Sequence, residues 1–195
     1  MKSYETLPEG YKKILHIDLQ KDKKLMLIVN GLALVVSLFM FIPAVYIVPV
    51  NVFFSYDDPE SILIKVAVML VGFVVYMLLH EAVHGIAMRR FCAAKVKYGF
   101  AGMYAYAGSD GYYCKKDYIT IALAPIVVWG IVLLILNFLV STSWFYVVYF
   151  IQVGNISGAA GDLYVTWRMR KLPADSLIQD SGVSMTVFSK EAMEE

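Results

Sequence analysis

Four long apolar stretches, at about residues 25–50, 62–89, 118–140 and 144–169, alternate with short polar segments. Each holds about 20 mostly apolar residues or more, enough for a helix to cross a hydrocarbon core roughly 30 Å thick. The pattern predicts four transmembrane helices, the first kinked or ended by Pro43 and Pro49. That first stretch follows a lysine-rich segment, is too long for the apolar part of a signal peptide and precedes no A-x-A site, so it reads as a retained span. Between spans two and three the period changes. Lys95-Val96-Lys97-Tyr98-Gly99-Phe100 alternates as a strand does, Met103-Tyr104-Ala105-Tyr106 can return from a turn at Ala101-Gly102, and Ser109-Asp110-Gly111 reads as another turn. Two readings fit this loop: a short β-hairpin whose edge holds an extended substrate, or a tyrosine-rich segment resting at the lipid headgroups. The tail, 171–195, is polar; residues 183–188 have strand character, and both pairing with the hairpin and disorder fit them. The expected fold is an all-α membrane protein, one integral domain over 1–195, in which a small β-hairpin in the second loop is one of the two readings.

Composition agrees. Apolar residues make up 59% of the chain and charged residues 17%, with a mean hydropathy of +0.64, whereas soluble domains run near 45–50% and 25%. A net charge of +1 points to no nucleic-acid partner. Cys92 and Cys114 form no CxxC pair and are expected as reduced, unpaired thiols. The cations fall in three places: Lys12, Lys13, Lys21, Lys23 and Lys24 before span one; Arg89, Arg90, Lys95, Lys97, Lys115 and Lys116 between spans two and three; Arg168, Arg170 and Lys171 after span four. The remaining loops carry Asp57, Asp58 and Glu60, or only Ser141-Thr142-Ser143. The positive-inside rule then places both termini and the middle loop in the cytosol of a multi-pass cell-membrane protein.

The chemistry concentrates in His80-Glu81-Ala82-Val83-His84, at the end of a run that carries no charge after Lys65. Residues four apart share a helix face, so His80 and His84 can aim two imidazole nitrogens at one ion. Glu81, about 100° round the helix, can take a proton from a water held there without being a ligand. This is the half-site of a zinc peptidase helix. Ionisable groups cost roughly 2.5–3.5 kcal/mol each at a bilayer centre on insertion scales, so such groups in an apolar run are kept for function.

A catalytic zinc ordinarily takes three protein ligands. His16 is the only other histidine and lies in the polar lead-in, a poor position for a ligand. Asp162 is the stronger candidate: apart from Glu81 it is the only carboxylate inside a span. Counting from the outer ends of spans two and four, His80 and Asp162 each lie about 18 residues in, roughly 27 Å deep at 1.5 Å per residue, near the cytosolic boundary. Gln152, Asn155, Ala159 and Asp162 follow helical spacing along one stripe, flanked by Gly154, Gly158 and Gly161, which allow close helix approach. The competing readings are ordinary packing for the stripe and, for Asp162, a frayed helix end paired with Arg168. Two neutral histidines, one Asp, one Zn2+ and Glu81 sum to zero charge, cheaper in low dielectric than isolated carboxylates. Asn155 is a candidate oxyanion donor.

The chain resembles a bacterial family of membrane zincin peptidases, distantly similar to site-2 intramembrane proteases. The resemblance rests on Leu7-Pro8-Glu9-Gly10-Tyr11, His80-Glu81-Ala82-Val83-His84-Gly85, Ala124-Pro125, Asn155 through Gly161-Asp162, and Gln179-Asp180-Ser181. It implies His80 and His84 as ligands, Glu81 as general base and Asp162 as third ligand. The chain departs from site-2 proteases in lacking an Asn-Pro-x-x-x-Asp-Gly segment. The expected function is zinc-dependent hydrolysis of a membrane or juxtamembrane protein or peptide substrate. A metal-holding scaffold without turnover is the alternative. A metal-ion transporter fits less well, because spans one and three offer no polar path.

Overall fold

The computed structural model describes residues 2–18, 21–54, 59–102 and 104–191. Asp57 and Asp58 of the acidic loop, Met103 of the hairpin and residues 192–195 lie outside these. Among the described residues three helices are long and apolar enough to cross a membrane: α1 (Lys23–Ile47), α2 (Pro59–Phe91, its apolar length counted from Ser61) and α3 (Lys115–Leu139). Only 6%, 11% and 22% of their most apolar windows is buried within the protein. Side chains such as Leu34, Phe39 and Leu63 point outward, an arrangement that suits lipid and not water.

The fourth expected span is not one helix. α4 (Phe145–Gly158) and α5 (Ala160–Arg168) are separated at Ala159, whose ψ of 17° departs from the helical value. Glycines at 158 and 161 supply little helix propensity on either side of the break. The stripe read through Asn155 and Asp162 as one continuous helix is therefore interrupted, and neither piece has spanning length by itself.

The expectation of an all-α fold is corrected as well. β1 (Lys12–Asp18), β4 (Tyr113–Cys114), β5 (Leu177–Asp180) and β6 (Ser184–Ser189) form an antiparallel sheet in the order β1-β6-β5-β4. β2 (Val96–Ala101) and β3 (Tyr104–Ser109) form the hairpin expected in the second loop, with Ala101 opposite Tyr104 and Gly102 at a φ of 65° in the turn. The tail does not pair with this hairpin. β6 pairs with β1 and β5, burying Met185, Val187 and Ser189 on alternate positions.

The chain packs as two compact units. One comprises Val29–Leu79 and Ile126–Gly161 and is the apolar one. Its core is Tyr76, Leu133 and Ile151, packed by Phe73, Met77, Trp129 and Val148. Gly154 admits the Phe73 ring against its backbone, as the small-residue pattern predicts. Lys65, 2% exposed, donates to the Phe53 carbonyl at 3.3 Å. The other unit comprises Met1–Ile28, His80–Pro125 and Asp162–Glu195 and holds both sheets. Its N-terminus is tied down: Ser3 donates to Asp117 at 2.6 Å and accepts the Cys114 amide at 3.1 Å, and Tyr4 bridges Tyr112. Cys92 and Cys114 are buried free thiols, as expected.

Candidate metal centre

The end of α2 carries His80, Glu81 and His84 into the sheet-bearing unit, where the first turn of α5 supplies Asp162. Asp162 Oδ2 lies 3.6 Å from His80 Nε2 and 3.6 Å from His84 Nε2. One ligand atom from each residue falls within 4.8 Å of the others, a group able to hold a metal ion. The two imidazole rings are 5.0 Å apart and nearly perpendicular, and both histidines are buried. His84 Nδ1 donates to the Ile121 carbonyl at 3.0 Å. A carbonyl only accepts, so this bond puts a proton on Nδ1, and Nε2 is the nitrogen turned to Asp162. Two imidazole nitrogens and a carboxylate oxygen, with one tautomer held from behind, form a donor set suited to zinc.

Glu81 lies beside this group without joining it. Its Oε2 accepts the Ala107 amide of β3 at 2.7 Å. The bond orients the carboxylate and brings the edge of the hairpin to the site. The Tyr98 ring of β2 lies over Gly85, the residue after His84.

Asp180 of β5 is a carboxylate that the sequence marked only as part of a family pattern. Its Oδ2 accepts the Tyr118 hydroxyl at 2.5 Å and its Oδ1 accepts the Gly182 amide at 2.7 Å. It sits within electrostatic range of His84 and Asp162. Burial pushes its carboxyl above the ordinary range, while these two donors and the imidazole pull the other way.

The remaining sequence candidates lie elsewhere. His16 is on β1, its Nδ1 2.9 Å from Thr186 Oγ1. Asn155 belongs to the apolar unit and is fully buried. Its Oδ1 accepts the Tyr76 hydroxyl at 3.0 Å and its Nδ2 donates to the Ile126 carbonyl at 3.2 Å. The backbone groups at Ile121 and Ala107 were missed, because backbone atoms leave no residue-type signature. The nearest signals were Pro125, four residues after Ile121, and the alternation of the hairpin.

A helical pair of histidines, an adjoining glutamate held by a β-hairpin, and a carboxylate from a separate helix together make a group that could hold a metal ion. The family described as "Putative zincin peptidase" matches residues 73–177, just over half of the chain, and the protein belongs to that family. No curated protein and no solved structure matches the chain.

Proposed function

We propose that this protein is a zinc-dependent membrane peptidase that cleaves a membrane or juxtamembrane protein substrate. The observation that carries the reading is the convergence of His80, His84 and Asp162 with Glu81 alongside. Zinc, when bound there, would supply Lewis-acid activation of a water and of the scissile carbonyl. Glu81 is the general base: one of its oxygens is held by the Ala107 amide, and a carboxylate keeps a second oxygen to take the proton. An extended peptide bound beside the β2–β3 hairpin would run past Glu81, which the Ala107 amide of β3 holds.

Strand order supports a topology with both termini and the middle loop on the cytosolic side, and with it a site near that face. β1 precedes α1, β4 follows α2 and β5 follows α5, yet all belong to one sheet. A sheet occupies one side of a bilayer, so each interval contains an even number of crossings. α1 and α2 account for the first interval. The second requires α3 and a return by way of α4 and α5. The Lys and Arg clusters flank these same strands.

Replacing Glu81 with Gln tests the reading. The variant is expected to bind zinc as the parent does and to lose hydrolysis of a membrane-anchored peptide by 100-fold or more, on the order of a lost general base. A Glu81→Gln protein as active as the parent rejects peptidase chemistry and favours a metal-holding scaffold.

A further inference from the structure

The Ile121 carbonyl that holds His84 lies in the middle of α3, where carbonyls are ordinarily taken by the amide four residues on. Here that residue is Pro125, which has no N–H. A proline ring in a helix also crowds the carbonyl four residues back. Pro125 is fully buried, and no amide of its own competes for the acceptor. A buried carbonyl without a donor costs about 1–3 kcal/mol, so some group must satisfy it. The Nδ1–H of His84 does so at 3.0 Å.

We propose that Pro125 is a positioning residue for the metal centre. By removing one rung of the α3 ladder it frees the Ile121 carbonyl to fix the tautomer and ring orientation of His84, so that Nε2 is presented as a ligand. The proline is thus the source of a histidine partner that in many metal sites is a carboxylate or a loop carbonyl. A purely structural proline would act differently. Within a helix it lowers stability and does nothing for a side chain of another helix. The inference uses the metal site of the proposed function, but its central claim concerns the His84 tautomer and can be measured without metal.

The test compares the full-length protein with Pro125→Ala in detergent micelles. Alanine restores the amide, which then competes with His84 for the Ile121 carbonyl. The variant is expected to melt at or above the parent temperature and yet to bind zinc about 10–100-fold more weakly by competition with a chromogenic chelator. The absorption bands of its cobalt-substituted form should also shift. Pro43→Ala, which repairs a proline in α1 instead, should leave zinc affinity unchanged. Zinc affinity within twofold of the parent in Pro125→Ala, or an equal loss in Pro43→Ala, overturns the proposal. If Pro125→Ala does not fold, nitrogen-15 spectra of labelled histidine in the metal-free parent decide. In the neutral ring, read at a pH where His84 has lost its second proton, a proton on Nδ1 supports the relay and a proton on Nε2 overturns it. A parent that binds no zinc but shows the Nδ1–H form would reject the peptidase reading and leave the proline–carbonyl–histidine relay standing.

Discussion

Tyr98 lies across the backbone of Gly85, so closely that a Cβ at residue 85 would overlap its hydroxyl and the adjoining ring carbons. Gly85 directly follows His84, and Tyr98 is paired with Ala107, whose amide binds Glu81. The glycine is thus the seat on which the hairpin reaches the helix that carries His80, Glu81 and His84. Gly85→Ala should push the hairpin away, lengthen the Glu81–Ala107 bond and cost about 1–3 kcal/mol, as overpacking does. Adding Tyr98→Ala should recover much of that loss. Thermal melts of the two single variants and the double variant check this. Additive losses would show that the two residues do not meet.

Asp162→Ala removes a carboxylate that stands 3.6 Å from each imidazole. Zinc content of the purified variant is expected to fall to background while the protein stays folded. Unchanged zinc content by mass spectrometry of the metal would exclude Asp162 as a ligand.

Chelation should destabilise the sheet-bearing unit. The His80–His84 pair and Asp162 come from two separate stretches of chain, so an ion that binds all three favours the folded state. Free zinc at 100 times its dissociation constant should add about 2.7 kcal/mol. Hydrogen exchange at Ile121 and Ala107 would slow with zinc if the ion stabilises that unit. Exchange that ignores zinc would show that no such coupling exists.

Tyr118→Phe deletes one of two donors to Asp180 and should cost about 1.5–3 kcal/mol at neutral pH, as for hydrogen bonds to charged groups. The sign of its pH dependence follows from the raised Asp180 carboxyl. A carboxyl with a folded pKa above its unfolded one favours the folded state most at acid pH and loses that contribution as pH rises through the folded pKa. The lost hydroxyl stabilised the charged form, so the variant's deficit should be largest above that range and shrink as pH falls below it. A deficit that is flat or grows towards acid pH would contradict this account of Asp180.

What the sequence disclosed follows the range of its signals. The helices α1, α2 and α3 were legible because about 20 apolar residues in a row admit few other readings, and their ends moved by only a few residues. The hairpin was legible in the alternation from Val96 and the glycine at 102. β1 was not, because Lys12–Asp18 becomes a strand only through β6, its partner some 170 residues away. The break at Ala159 was hidden by a hydropathy that runs on across it. At the site, the spacing of His80 and His84 is local and was plain. Asp162 was reached by depth along a helix that proves to be interrupted, yet it stands beside both histidines. The role of the Ile121 carbonyl depends on a missing amide at Pro125, which hydropathy does not register.

The strand order has a further consequence, for the moment at which the protein becomes competent. Among the described residues β1 is an edge strand whose ladder neighbour is β6, the strand furthest from it along the sequence. During synthesis the earliest strand must therefore wait, unpaired, until every helix has been made and β6 has left the ribosome. The sheet therefore closes only after the helices α1 to α5 have been made, and a chain cut short before β6 leaves β1 without its ladder partner.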